Sequence, residues 1–239
     1  MKTPRAIAFI SAATLIGTSA IAGLIYEPGN YAAQENLVLQ LDGIRNAGAL
    51  KAHDNAATAW VDLKSSRTAT TNAISSITGR SVPATSLQDG TAGWKDDGYY
   101  FDGVTFLQMS DTLTLGNTYT IQIVCDVDTG KFQTRYTQSQ SVAGPPNNDR
   151  ELKWPGFVGS TDTDGKDYCN IYYHCTDKRV NAKMGDGNFD VFVAKDAWGN
   201  HYLTAWANGS QASLFDGAAV GTKKTKNLTV GTRTLTFGS

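Results

Sequence analysis

Short runs in which apolar and polar residues alternate recur along the chain. The clearest run, Tyr-Thr-Ile-Gln-Ile-Val-Cys-Asp-Val, places Tyr119, Ile121, Ile123, Cys125 and Val127 on one face and mostly polar residues on the other. This alternation predicts a strand that is buried on one side only. Similar runs predict further strands at Leu37–Leu41, Tyr99–Phe106, around Leu113, Lys131–Tyr136, Tyr168–Tyr173, Asn188–Ala194, His201–Ala207 and Ser210–Leu214.

Turn residues separate these runs. Asp128-Thr129-Gly130 follows the clearest strand, and Asn208-Gly209 between two apolar runs is a strong hairpin signal. No long helical periodicity occurs, and Ala56–Leu63 and Ala69–Ile77 each predict at most a short helical turn. Many short strands without alternating helices predict a single all-β domain, an antiparallel sandwich of two sheets.

The first 22 residues have the pattern of a secretory signal peptide. Lys2 and Arg5 precede an uncharged apolar stretch, and the small-residue pattern Ala-Ile-Ala occupies residues 20–22. The alternative is an uncleaved anchor, because the 21 residues from Ala6 to Tyr26 carry no charge. With residues 1–22 removed, we expect a chain without a membrane span that is secreted, extracellular or at the cell surface, or else periplasmic.

Composition narrows the classes of function. The formal net charge of −1 provides no global positive field, so we expect no nucleic-acid partner. Of the 22 acidic residues, three are glutamates and 19 are aspartates. Aspartate favours turns and glutamate favours helices, so this bias also predicts a turn-rich fold with little helix.

The three cysteines leave at least one thiol outside any internal disulfide. Cys169 and Cys175 are separated by about 20 Å if the chain between them is extended, which is too far for a direct bridge. The sequence therefore predicts either core thiols or one disulfide that joins Cys125 to one of the other two.

Several motifs occur in a fixed order from residue 37 onwards. They are Leu37-Val-Leu-Gln-Leu-Asp-Gly-Ile-Arg-Asn46, His53-Asp54, Thr58-Ala-Trp-Val-Asp-Leu63, Gly98-Tyr-Tyr-Phe-Asp-Gly103, Met109-Ser110, Leu113-Thr-Leu115, Tyr119-Thr-Ile121 and Ala207-Asn-Gly209. This ordered set resembles the laminin-G-like jelly-roll domains of the concanavalin A-like lectin/glucanase superfamily.

The resemblance implies a two-sheet jelly roll over residues 37–239, preceded by a lead-in at residues 23–36. The superfamily includes sugar binders, cell-adhesion modules and glycanases, and fold analogy alone does not choose among them. Its domains usually end with a strand that carries Arg-x-Tyr-x-Arg-x-Leu, whereas this chain ends at Leu235-Thr-Phe-Gly-Ser239. Either the chain is a fragment that lacks the final strand, or the sheet closes differently.

Motifs of the superfamily's glucanases, of serine hydrolases and of phosphate-binding enzymes do not occur in the sequence. The glucanases of the superfamily carry their carboxylates on Glu-x-Asp-x-x-Glu, and Glu151 is the only glutamate in the strand-rich body of this chain. A Gly-x-Ser-x-Gly elbow and a phosphate-binding loop are also missing. His53-Asp54 is interpreted as a pair that shapes a turn. We therefore predict a non-catalytic protein, with a glycan-active hydrolase that uses aspartates as the alternative.

Calcium is the one inorganic partner that the sequence suggests, and no cofactor is required. Asp162, Asp164 and Asp167 place three carboxylates in a short glycine turn, and carboxylate oxygens are ligands that calcium prefers. Lys166 occupies the position of a further ligand, so a plain hairpin turn is the alternative interpretation.

Tryptophans in predicted loops are the candidate ligand-binding residues. Trp94, Trp154 and Trp198 lie beside glycine, proline or charged residues, and aromatic rings pack on the apolar faces of sugars. We therefore predict a secreted or cell-surface recognition module that binds a glycan or an extracellular protein. A structural protein that assembles at the cell surface through its sheets is a further alternative.

Overall fold

The computed structural model describes residues 6–11, 36–48, 51–73, 88, 90–96, 98–127, 156–161, 169–174, 179–185, 190–194, 199–216, 218–224 and 229–238. These residues form sixteen β-strands and contain no α-helix. The strands are β1 (Ala6–Ser11), β2 (Leu37–Leu41), β3 (Ala59–Val61), β4 (Thr68–Ala73), β5 (Gly93–Lys95), β6 (Gly98–Tyr100), β7 (Thr105–Leu115), β8 (Thr118–Val127), β9 (Gly156–Thr161), β10 (Cys169–His174), β11 (Arg179–Met184), β12 (Asp190–Ala194), β13 (Gly199–Asn208), β14 (Gln211–Asp216), β15 (Ala218–Lys224) and β16 (Gly231–Phe237).

The strands form two large sheets and one small one. The six-stranded sheet has the order β15-β14-β13-β8-β1-β2, and the eight-stranded sheet has the order β12-β11-β10-β9-β16-β7-β4-β3. The remaining pair, β5 and β6, forms a hairpin. Every strand pair is antiparallel, which confirms the prediction of an all-β fold built from antiparallel sheets.

Both large sheets contribute side chains to one hydrophobic core. On β8 of the six-stranded sheet, Tyr119, Ile121 and Ile123 are buried, and the residues between them are half-buried. On β7 of the eight-stranded sheet, Leu107 and Met109 are buried in the same cluster. Burial of one such side chain contributes about 1.5–3 kcal/mol, so the shared cluster holds the two sheets together.

Two segments predicted as helical turns contain strands instead. Ala56–Leu63 includes β3, and the described part of Ala69–Ile77 lies in β4. Trp60 on β3 and Ala69 on β4 are paired across the strands, and both are buried in the core. Pairing of β3 with β4, and of β4 with β7, therefore overrides the weak local preference of these alanine-containing segments for a helical turn.

The predicted strand Tyr99–Phe106 is interrupted by a turn at Asp102. The Asp102 carboxylate accepts hydrogen bonds from the backbone N–H groups of Val104 and Thr105 at 3.0 and 2.8 Å, and from the Gln88 amide at 2.7 Å. Burial alone would raise the pKa of Asp102, but these bonds hold that pKa below its ordinary value. The Asp102 carboxylate thus stabilises the turn that joins β6 to β7.

Other strand predictions differ from the structure mainly at their ends. The hairpin of β13 and β14 confirms the Asn208-Gly209 signal, with Asn208 paired to Gln211 and Gly209 at a φ of 65°. A positive φ at the first turn residue is the reason that glycine suits this position. The sequence patterns do not predict β5, β9, β11, β15 and β16, and the predicted strand Lys131–Tyr136 lies outside the described residues.

The segment predicted as a signal peptide contributes an inner strand. β1 lies between β8 and β2 and is antiparallel to both of them. Its register places Ala8 opposite Ile123 on β8 and opposite Leu41 on β2. A strand that the sequence predicts to be removed therefore occupies a position inside the six-stranded sheet.

Cys125 and Cys169 are both buried, and Cys169 is a free thiol, so a disulfide between Cys125 and Cys169 is excluded and Cys169 is the core thiol that the alternative predicts. Cys169 belongs to the same core cluster as Cys125, and burial raises its pKa to about 12. Cys175 lies outside the described residues. Within the described ranges we find no helix with the length and apolar character that crossing a bilayer requires.

Candidate functional site: the groove over β9

Trp94, a predicted ligand-binding residue, lies in the core. It is part of β5 instead of a loop, and 6% of its side chain is exposed. Its indole N–H donates to the Ala57 carbonyl at 2.9 Å, and its ring makes edge contacts with Trp60 and Tyr99 at centroid distances of 5.5 and 5.0 Å. The predicted loop position of Trp94 is therefore wrong, because this ring packs inwards and its face is not open to a sugar.

The loop before β3 is shaped by hydrogen bonds between side chains and the backbone. The Asn46 amide donates to the Asp54 carbonyl at 2.7 Å, and the Asp54 N–H donates back to Asn46 Oδ1 at 3.0 Å. His53 Nδ1 lies 3.2 Å from the Ile44 carbonyl oxygen. His53 and Asp54 thus shape the turn.

The other predicted site residues are not among those described. Trp154, Trp198 and the calcium candidates Asp162, Asp164 and Asp167 all lie outside the described ranges. In the part of the chain that the structure describes, no three His, Cys, Asp or Glu side chains come close enough together to hold a metal ion.

A polar surface lies on the side of the eight-stranded sheet opposite the core. On β10, Ile171 and Tyr173 face the core, so Tyr172 between them lies on the other side. On β11 the same alternation places Asn181 beside Tyr172, its register partner. On β16 it places Thr236 on this surface, between the core residues Leu235 and Phe237.

Two glycines of β9 leave this side of the sheet without a side chain at their positions. Gly159 is the register partner of Thr236 on β16, and Gly156 is the register partner of Tyr172 on β10. Neighbouring strands lie about 4.8 Å apart, so the side chains of β10 and β16 face each other across about 10 Å. We call this arrangement the β9 groove, with Gly156 and Gly159 as its floor, Tyr172 and Asn181 as one wall, and Thr236 and Gln108 as the other. All of these residues except the half-buried Gln108 are buried.

The wall formed by β10 and β11 contains a hydrogen-bonded pair with an unused acceptor. The Asn181 amide donates to the Tyr172 hydroxyl at 3.2 Å, and the two side chains are 1% and 2% exposed. The second polar atom of that amide, Asn181 Oδ1, is buried without a hydrogen-bond partner. An unsatisfied buried acceptor costs about 1–3 kcal/mol, so a donor that reached Asn181 Oδ1 would recover this free energy.

The opposite wall becomes more exposed with distance from β9. Thr236 is buried, its partner Gln108 on β7 is half-buried, and Thr70 beside Gln108 on β4 is exposed. Exposure to solvent therefore increases across the sheet from Asn181 and Thr236 towards Thr70 on β4.

The side chains that define the groove can form hydrogen bonds but carry no charge. Its defining residues carry amide, hydroxyl and phenol groups, and none of them carries a carboxylate. Lys183 flanks Asn181 on the same side of β11 and is half-buried. This set can bind a ligand rich in hydroxyl groups, and it contains no pair of acids for glycoside hydrolysis.

Sequence reasoning missed the groove because it searched loops for tryptophans. The signal was present in the alternation of Asn170-Ile-Tyr-Tyr-His174, which places Tyr172 on the same side of a strand as the polar Asn170 and His174. The pairing of Tyr172 with Asn181 and the two glycines of β9 could not be obtained from that pattern, because they depend on strand order. Comparison of the chain with known protein families, with curated proteins and with solved structures gave no significant match.

Proposed function

We propose that this protein is a secreted or cell-surface recognition module without catalytic activity that binds a glycan in the β9 groove. The proposal includes a laminin-G-like jelly-roll fold, supported by the ordered motifs and by the two antiparallel sheets that share one core. The predicted export of the chain is part of the same proposal.

The observation that carries the proposal is the buried Asn181 side chain with its unused acceptor. A neutral amide beside a phenol, in a groove floored by glycine backbone, suits a polyhydroxyl ligand better than an ion or an apolar molecule. A sugar hydroxyl that donates to Asn181 Oδ1 would satisfy this atom, and the Thr236 hydroxyl across the groove would bind a second hydroxyl group.

Binding to a glycan array, followed by titration calorimetry of the positive sugars, tests the proposal. Loss of one neutral hydrogen bond corresponds to about 1 kcal/mol, so we expect Asn181→Ala and Thr236→Val each to weaken binding about fivefold to tenfold. Thr114→Val is the matched control, because Thr114 lies on the same side of the sheet at the far end of β7 and is exposed. Unchanged affinity in both groove variants would refute the site, and release of sugars from a polysaccharide would favour the hydrolase.

The predicted calcium site is tested separately, by thermal unfolding. Chelation and Asp164→Ala should each lower the melting temperature if the turn at residues 162–167 holds calcium. If neither treatment changes the melting temperature, the turn does not bind the ion.

A further inference from the structure

The two neighbours of β1, strands β2 and β8, are each held in place by contacts that do not involve β1. β8 is paired along its whole length with β13, from Thr118 opposite Asn208 to Val127 opposite Gly199. That ladder and the burial of alternate β8 side chains in the core hold β8 in place without any contribution from β1.

β2 is held on its other edge by the turn that follows β3. The Gln40 N–H donates to Asp62 Oδ1 at 2.8 Å, and the Leu63 N–H donates to the Gln40 carbonyl at 2.8 Å. The Arg67 guanidinium donates to the Val38 carbonyl at 3.1 Å. Moving β2 towards β8 would break these bonds and would shift the buried Leu39 out of the core.

Removal of β1 would therefore leave an opening one strand wide. β2 and β8 would remain about 9.6 Å apart, which is twice the usual strand spacing, with unpaired backbone N–H and C=O groups on both sides. Pairing an extended peptide into such an opening satisfies both edges at once and is a common mode of peptide recognition.

The register defines which peptide would fit. Positions Ala6, Ala8 and Ile10 are opposite Cys125, Ile123 and Ile121, which are core residues of β8. An occupant therefore needs small or aliphatic residues at three alternate positions, and a charge there would be placed against the core. Ile7 is opposite the half-buried Val124 and has no register partner on β2.

We propose that the position between β2 and β8 is a strand-acceptor site of the exported protein. After removal of residues 1–22, the site binds an extended peptide segment that runs antiparallel to both strands and carries uncharged, small or aliphatic residues at three alternate positions. This inference rests on the predicted cleavage and is independent of glycan binding in the β9 groove.

Strand exchange on the full chain tests this proposal. A specific protease site is introduced at residue 23, so that cleavage leaves residues 1–22 bound in the folded protein. A fluorescent peptide of residues 4–13 is then added in excess, in urea below the unfolding transition, so that the site is never left empty. Fluorescence anisotropy and native mass spectrometry report whether the labelled peptide replaces the cut strand.

We expect replacement at one peptide per chain. A peptide with Ala8→Asp should bind more than about tenfold more weakly, because its charge would lie against Ile123. The matched control is a peptide with Ile7→Asp, which carries the same charge at a position outside the core register and should bind nearly as well as the original.

Two results would overturn the proposal. One is failure of the labelled peptide to replace the cut strand at the highest urea concentration that preserves the fold. The other is an exported protein whose mass includes residues 1–22, because the site would then be filled permanently by its own chain.

Discussion

Replacement of Trp94 by alanine tests the conclusion that this ring belongs to the core. The indole is 6% exposed, packs edge-on against Trp60 and Tyr99, and donates its N–H to the Ala57 carbonyl at 2.9 Å. Removing a buried tryptophan side chain costs about 3–5 kcal/mol, and this range includes the loss of a hydrogen bond of about 1 kcal/mol. We therefore expect a loss of about 4 kcal/mol, or a drop in melting temperature of about 8–16 °C for a chain of this size.

Trp94→Phe separates the packing from the hydrogen bond. The phenyl ring retains most of the edge contacts but leaves the Ala57 carbonyl without its donor, so we expect a loss of about 1–2 kcal/mol. Urea unfolding followed by far-ultraviolet circular dichroism measures both variants without relying on tryptophan fluorescence. The matched control is Trp206→Ala on β13, where the ring is half-buried and outside the core cluster, and a smaller loss is expected.

The assignment of Trp94 to the core would be refuted if Trp94→Ala lowered the free energy of unfolding by less than about 1 kcal/mol, or by no more than Trp206→Ala does. A large loss of stability together with retained glycan affinity in the folded fraction would support the assignment of Trp94 to the core and of binding to the β9 groove.

Three further predictions concern acid stability, thiol reactivity and backbone strain. Hydrogen bonds lower the folded-state pKa of Asp102, so its carboxylate stabilises the fold above the unfolded-state pKa of about 3.9, and this contribution is lost as the pH falls through the lower folded-state value. Asp102→Asn should remove that part of the acid dependence in thermal unfolding below about pH 4, and an unchanged dependence would contradict it. Because burial raises the pKa of Cys169 to about 12, iodoacetamide should label this thiol only after unfolding, as read by peptide mass spectrometry, and rapid labelling of the folded chain would exclude this burial. Gly238→Ala should lower the melting temperature, because its Cβ would lie 2.1 Å from the Phe101 ring at a φ of 74°, whereas Gly116→Ala has open space and should be near neutral.

The strands with strong alternation could be predicted from the sequence. Leu37–Leu41 was predicted with the bounds that β2 has, and the alternation from Tyr119 onwards matches β8 because each second residue enters the core. The missed β15, with the sequence Ala-Ala-Val-Gly-Thr-Lys-Lys, carries little alternation of its own. Its strand state comes from pairing with β14, a contact distant from any local pattern.

The candidate functional residues, in contrast, could not be predicted from local sequence patterns. Trp94 has loop-like neighbours in Gly-Trp-Lys, yet packing against Trp60 and Tyr99 buries it. Asn181 lies in no recognisable sequence motif, and its proposed role in binding depends on its hydrogen bond to Tyr172 on the neighbouring strand.

The sequence by itself determined the all-β class, the antiparallel hairpins and the lack of familiar enzyme motifs. These properties depend on periodicity, turn residues and residue types, all of which are local. Only the tertiary structure decided which strands are neighbours, and therefore which side chains share a surface. The β9 groove and the fixed position between β2 and β8 both follow from strand order, because hydrogen-bonded pairing joins residues that are far apart in the chain.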